Sequence, residues 1–576
     1  MRKSERRRCY VAVTVWSAWA VCLAALTSPA GPLMAQEKPA EKCVFEGIAR
    51  NSVTRLGVSK AAIHLIPMNG AAAYEGATNA AGVFHFEGVI AGDYRLEAMR
   101  TGYSKSVLAD KSGHAIPTLH LAPGQTMAGN DLWFTPESGI SGRVIGQDGE
   151  PIPGAHITVI AQKWRNGKRV YQGASTQLAD DAGVYHSAAI PPGRYFVYAE
   201  RPDQGPLAFS ILEAPGKPEM RLAGRYHPDS PGLDGAAAID LGPGEEISGI
   251  DFRLPLVSVF HLTGIAQLHD SSEGGSVTLK RRYNDQMLDW EGERASIAKD
   301  GTFDVAGVKP GSYFLYSSQS VLSNQVTSSK VPVTMTANDS AVVAPPVARF
   351  ELQGRIRVEG GSAGEIVPVQ VFCEGGDADD FTTYQRHAEP KADGTFAIPN
   401  LTPDRYTIRI ANLDRGKEEG YYLKSVRVNG VAALGAEIDL TKGPPEEVEL
   451  ILSGAVGSAE GTVRWPEEGS NNQTVPDPAA ELTILMIPEK VASGDTRTLA
   501  TYLDQDGHFR LTDLEPGSYR AFAVTNYDKG LWQNAEFLRQ MAGRGIALEV
   551  SEKGNTRIEV PVLRPADIRQ VEERIQ

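Results

Sequence analysis

Hydrophobic and polar positions alternate in short bursts along most of this chain, with the period of two that marks a strand burying one face. In residues 300–317, DGTFDVAGVKPGSYFLYS, Phe303 and Val305 alternate with Thr302 and Asp304. After Pro310 and Gly311 the alternation resumes through Tyr313, Leu315 and Ser317. Proline presets φ for the first corner and glycine accepts a positive φ at the next, so KPG predicts a turn between two half-buried strands. Four other stretches follow the same plan: AGVFHFEGVIAGDYRLEA, AGVYHSAAIPPGRYFVYA, DGTFAIPNLTPDRYTIRI and DGHFRLTDLEPGSYRAFA. In all five a glycine precedes a tyrosine by twelve positions, pairing Gly82 with Tyr94, Gly183 with Tyr195, Gly301 with Tyr313, Gly394 with Tyr406 and Gly507 with Tyr519. Aromatic residues two positions after the glycine (Phe84, Tyr185, Phe303, Phe396, Phe509) and aliphatic residues seven after it (Val89, Ile190, Val308, Leu401, Leu514) are predicted core. The five tyrosines are expected to be structural, each a buried ring whose hydroxyl ties a loop to backbone, as in the tyrosine corners of sandwiches.

A second signature stands upstream of each copy: FEGIA, ISGRV, LTGIA, LQGRI and AEGTV, with glycines at Gly47, Gly142, Gly264, Gly354 and Gly461. Alternating segments such as AAIHLI, AHITVI and ELTILM follow. About seven short strands per repeat, separated by turn residues, predict a β-sandwich. The expected architecture is all-β: five tandem antiparallel β-sandwich domains at 36–138, 139–257, 258–350, 351–457 and 458–576, after an N-terminal signal at 1–35. Each holds about 108 residues, enough for its own core. Linkers this short predict a semi-rigid rod. The one helix expected is NAEFLRQMA in the last domain, with Phe537, Leu538 and Met541 on one side and Gly543 as a stop before the C-terminal tail.

The N-terminus carries a basic segment, MRKSERRRC, an apolar run from Tyr10 to Leu26, and small residues near Ala30 and Ala35, the three parts of a secretory signal. The run is seventeen residues, at the lower limit for a membrane anchor, and the small-residue flank favours cleavage over retention. Losing residues 1–35 removes five basic residues (Arg2, Lys3, Arg6, Arg7, Arg8) and one acid (Glu5), so the formal charge moves from −14 to −18. So acidic an exported chain, with no basic stripe, disfavours nucleic acid and anionic membrane surfaces as partners. No second hydrophobic span follows. Only Cys43 and Cys373 would remain, in different repeats, so no disulfide is expected; Cys373 alternates with Val369 and Val371 as a small core residue.

Residues 142–159, G-R-V-x-x-x-D-G-x-P-I-P-G-A-x-I-T-V, followed by G-V-Y and P-P-G-R-Y-F-V, resemble the carboxypeptidase regulatory-like domain, a transthyretin-like sandwich related to the B-type domains of bacterial collagen adhesins. The likeness is closest in domain 2, good in 1, 4 and 5, and weak in the opening half of domain 3. It implies a bacterial accessory, stalk or receptor module and covers nearly the whole exported chain, leaving no room for a separate catalytic domain. The zinc peptidase of that family needs a His-x-x-Glu pair, and no histidine here is followed by Glu at that spacing. A Lys–Asn isopeptide crosslink of the adhesin kind finds no matching pair across the repeats.

Candidate chemistry is sparse. GGSAG at 360–364 matches a nucleophile elbow at Ser362, but the elbow needs strand, turn and helix, and this stretch reads as strand, loop and strand. DQDG at 504–507 and DDAG at 180–183 gather carboxylates, yet fall short of a calcium loop and fit hairpin turns better. No phosphate loop and no metal-spaced Cys or His cluster occurs, so neither cofactor nor metal is expected. The exception is a pair of basic-aromatic arms, QKWRNGKRVYQ in domain 2 and KRRYNDQMLDWEG in domain 3. Trp164 and Tyr171, and Tyr283 and Trp290, sit at nearly equivalent places in their repeats. Exposed rings there would stack on sugars; the preferred alternative is a cross-strand pair closing each sandwich edge. The expected protein is thus not an enzyme. It is an exported binding or spacer module, secreted, periplasmic or at the cell surface, with an envelope protein or, through these four aromatics, a glycan as partner.

Overall fold

The computed structural model describes residues 42–109, 118–202, 219–267, 275–321, 324–327, 330–343, 350–360, 369–375, 386–412, 420–433, 435–465, 482–491, 497–504, 507–525 and 527–575. The expected signal at 1–35 and Ser362 lie outside the described residues. The chain is all-β, folded into successive two-sheet sandwiches that we number units 1 to 5. Every unit opens with the strand carrying the first signature glycine: Cys43–Asn51, Ser138–Gly146, Phe260–Ala266, Phe350–Val358 and Gly457–Arg464. That strand pairs antiparallel with the one that follows the second glycine and parallel with a strand near the end of its unit. The parallel pair adds to the antiparallel plan expected from the alternation.

The two sequence signatures are cross-strand partners. Gly47 lies opposite Phe84, Gly142 opposite Tyr185, Gly264 opposite Phe303, Gly354 opposite Phe396 and Gly461 opposite Phe509. In units 1, 3 and 4 the aromatic ring lies across the bare α-carbon: a Cβ on Gly264 would stand 2.6 Å from the Phe303 ring and 1.9 Å from the Ala341 carbonyl oxygen of the parallel neighbour. Glycine is therefore required so that both neighbours can close on the central strand.

The 300–317 stretch does not fold back on itself as one ladder. Thr302–Val308 pairs with the opening strand, whereas Gly311–Val321 pairs with Gly275–Tyr283 in the facing sheet, so the turn carries the chain from one sheet to the other. The Asp–Gly turns expected to be hairpins behave similarly. Gly183 N–H donates to the Asp180 carbonyl at 2.9 Å and the Asp180 carboxylate accepts from the Ala182 and Val184 amides, closing a tight turn. Its flanking strands, Lys168–Leu178 and Val184–Ile190, then part into different sheets.

All five repeat tyrosines are buried, and each hydroxyl donates to the carbonyl four residues upstream: Tyr94 to Ile90, Tyr195 to Pro191, Tyr313 to Lys309, Tyr406 to Thr402 and Tyr519 to Glu515, at 2.5–2.9 Å. The bond pins the crossing turn to the sheet it enters. Replacing Tyr195 by Phe is expected to lower the stability of unit 2 by about 1 kcal/mol through the lost donor, and by Ala about 3 kcal/mol or more through the cavity; denaturant titration reads both.

Unit 5 carries the helical additions. Ala535–Met541 is capped by Asn534, whose side-chain oxygen accepts from the Phe537 amide at 2.8 Å. A second helix, Pro565–Glu572, occupies the stretch expected to be a tail. Proline at the first helical turn and Asp567 near the N-terminus suit that start. Both helices cover the outer face of the Leu482–Val491 and Gly517–Thr525 strands through a core separate from that between the sheets.

Candidate functional site

The central strands His156–Arg165 and Gly193–Glu200 of unit 2, and Leu482–Val491 and Gly517–Thr525 of unit 5, are buried on both faces over much of their length, and this places the aromatic arms. In unit 2, Ile157, Val159, Tyr195 and Val197 point into the sandwich, while Ile160, Phe196 and Tyr198 point outward and are equally covered. The outward set, with Tyr226 and Leu233, forms a second apolar cluster against which Tyr171 and, from unit 3, Tyr283 and Trp290 pack.

The arms of units 2 and 3 meet tip to flank. Tyr171 and Tyr283 pack edge to face, with centroids 5.5 Å apart and planes at 86°. Gln286 binds both backbone groups of Tyr171, accepting from its N–H at 3.1 Å and donating to its carbonyl at 2.7 Å. Trp290 Nε1 donates to the Tyr226 hydroxyl at 2.9 Å, and that hydroxyl in turn donates to the carboxylate of Glu291. Tyr198 lies against Tyr226 at 4.7 Å and donates to Glu200. Burial holds the hydroxyls of Tyr198 and Tyr226 well above the usual phenol range and pushes Tyr283 up to about 12.

Trp164 turns to another unit altogether. It stands near the tip of the hairpin formed by His156–Arg165 and Lys168–Leu178, whose turn residues Asn166 and Gly167 have φ of 48° and 74°, as a two-residue type I′ turn requires. The tip enters a socket in unit 5. There the Trp164 ring, 8 % exposed, packs within the cluster containing Phe522, Trp532, Phe537 and Val571, and Nε1 donates to Glu572 at 2.8 Å. Arg169, opposite Trp164 on the hairpin, lies 5.1 Å over its ring and donates to the carbonyl of Glu572, left open where the second helix ends, and to that of Ile575 beyond it. Asn534, the cap of the first helix, donates to the Gly167 carbonyl at 2.7 Å, and Gly167 N–H donates to the Gly530 carbonyl. The hairpin and the socket approach backbone to backbone: a Cβ on Gly530 would stand 2.1 Å from the Trp164 carbonyl oxygen.

Two expectations are corrected by these contacts. Trp164 and Tyr171 are not a pair closing one sandwich edge: their direct cross-strand partners are Arg169 and Gln162, and their rings serve different neighbours. Nor is the chain a straight rod, because unit 2 touches unit 5 across two intervening units, and that requires the chain to turn back. Short linkers limit flexing but do not dictate direction.

Tyr198, Tyr226, Glu291, Phe522, Trp532 and the second helix were not singled out from the sequence. A signal existed. Segments 157–161 (ITVIA), 195–199 (YFVYA) and 482–487 (LTILMI) are apolar on both faces, broken only by Thr158 and Thr483, whereas the equivalent RYTIRI in unit 4 alternates. A near-continuous apolar run marks a strand covered on both faces. Elsewhere, a cleft of about 910 Å³ lies over the solvent face of unit 5, lined by Glu460, Tyr502, His508, Arg510 and Arg557 with Thr118 of unit 1; Arg557 and Glu460, cross-strand neighbours, pair there at 2.7 Å.

No family model and no curated protein matches the chain, so the resemblance to the carboxypeptidase regulatory-like domain rests on its motifs alone. Among solved structures the chain is similar to the Bacillus anthracis TIE protein, at 10 % identity and a TM-score of 0.15, over 71 % of this chain and 68 % of that one. It is similar to a streptococcal ancillary pilin at 10 % identity and a TM-score of 0.17, over 53 % and 99 %. The minor pilin GBS52 of Streptococcus agalactiae aligns at 10 % identity and a TM-score of 0.21, over 38 % and 97 %. Likeness at this level carries no argument about function.

Proposed function

We propose that the chain is a non-catalytic scaffold working outside the cytoplasm, at a bacterial envelope or beyond it, that presents surfaces to an envelope protein from a folded-back body. The observation that carries this is the Trp164 hairpin seated in the unit 5 socket, with the arms of units 2 and 3 locked beside it. The most distinctive aromatics of the sequence are spent on joining units, as a scaffold of fixed internal geometry requires. Glycan stacking needs ring faces open to water; Trp164 is buried, and Tyr171, Tyr283 and Trp290 are half-buried in the joint. Support for export is the charge and apolar pattern of the first 35 residues.

Small-angle scattering tests the shape. Five units of about 108 residues end to end would extend roughly 170 Å by the scaling of compact domains. A folded-back chain gives a clearly smaller maximum dimension. A value at or above the rod length sinks the proposal of a fixed folded-back body and restores the flexible or straight spacer.

A further inference from the structure

The joint between units 2 and 3 contains an acid where a neutral group would serve better. Glu291 stands on the Gln286–Ile297 strand of unit 3, next to Trp290, and accepts from the hydroxyl of Tyr226 of unit 2, a residue with no exposed surface. On the unit 2 side it faces Tyr226, Tyr198 and Glu200; on its own side it faces Arg281, Lys309 and Tyr313. Both cations also have other partners. Arg281 donates to the Pro310 carbonyl at 2.8 Å and to the Tyr313 hydroxyl at 3.3 Å, and Lys309 lies 3.7 Å from Glu293.

We propose that this joint is an acid-tightened latch: units 2 and 3 dock most firmly with Glu291 protonated, and deprotonation loosens the docking. Two carboxyl groups, Glu200 and Glu291, approach the same pair of touching tyrosines from opposite units. A neutral Glu291 still accepts the Tyr226 hydrogen bond and carries no repulsion toward Glu200, so it keeps the contact and loses the cost of burying a charge.

Burial, the largest cause, and the Glu200 carboxylate push the Glu291 carboxyl up to about 7, against the pull of the Tyr226 hydrogen bond, Arg281 and Lys309. In an undocked state facing water the same group falls back toward the ordinary carboxyl value of 4.5. The docked form therefore binds the extra proton between these two values. Docking is strongest at the acid end, weakens as pH rises toward 7, and levels off above it.

The test uses the full chain with spin labels at Asp285→Cys in unit 3 and Asp240→Cys in unit 2, both exposed side chains. Pulsed dipolar spectroscopy reads the ratio of the short, docked distance to longer ones between pH 5 and 8. The ratio is expected to fall roughly tenfold or more over that range. Glu291→Gln, which keeps the shape and the acceptor but cannot ionise, is expected to hold the acid-form distribution throughout. A wild-type distribution that does not move with pH overturns the proposal, and so does a Glu291→Gln chain that responds as the wild type does. A chain carrying Glu293→Gln, two residues further along the same strand and 3.7 Å from Lys309, is expected to retain the pH response.

Discussion

Trp164→Ala is expected to release unit 2 from unit 5 and to lower the stability of unit 5, not of unit 2. The ring belongs to the cluster beneath the two helices of unit 5 and lies outside the core of its own sandwich. Removing a buried tryptophan costs about 3–5 kcal/mol; here the loss falls on the docked arrangement and on the helices that line the socket. Scattering should report a larger maximum dimension, and the melting transition assigned to unit 5 should move down while unit 2 holds. Trp164→Phe separates the contributions, since it keeps most of the apolar contact but loses the bond to Glu572, at a cost of about 1 kcal/mol. If Trp164→Ala scatters and melts like the parent, the socket does not hold the units together and the folded-back scaffold fails with it.

The second large effect is expected at the opening glycines, where Gly47→Ala should destabilise unit 1 by about 3 kcal/mol or more, at or beyond the upper end of overpacking effects. The new methyl would lie 2.1 Å from the Asn130 carbonyl oxygen on one side and 2.7 Å from the Phe84 ring on the other. A ring can rotate away; a carbonyl engaged in a parallel ladder cannot. Adding Phe84→Leu should therefore fail to restore stability. Gly70→Ala provides the contrast. Its Cβ would meet nothing, so only its φ of +78° is penalised, by about 1 kcal/mol. Denaturant titration of the three variants would contradict this account if Gly47→Ala proved as mild as Gly70→Ala.

What was legible in the sequence was what depends on local spacing. A strand with one buried face writes itself as alternation, a crossing turn writes itself as Pro and Gly, and five copies of both repeat the message, so the all-β sandwich class follows from patterns such as TFDVAGVKPGSYFLYS. The requirement for glycine in FEGIA was visible as a recurrence but not as a cause, because the ring that covers it comes from a strand almost forty residues later. The second helix was harder to see. Its apolar positions Ile568 and Val571, with Ile575 just beyond its end, are few, and they make sense only with the socket they help to build.

The arms show where local reasoning ended. WRNGKRVY announces a hairpin, and Asn166 and Gly167 adopt the turn that such a pair favours, since both tolerate positive φ. Which surface receives Trp164 is a different kind of question, settled by a hydrogen bond between residues 408 positions apart. Alternation determined the units, because backbone pairing and one-sided burial act over a few residues. The direction in which the units turn, and the spending of Trp164, Tyr171, Tyr283 and Trp290 on joints, were decided by tertiary structure, because burial of a ring depends on complementary surfaces that meet only after each unit has folded.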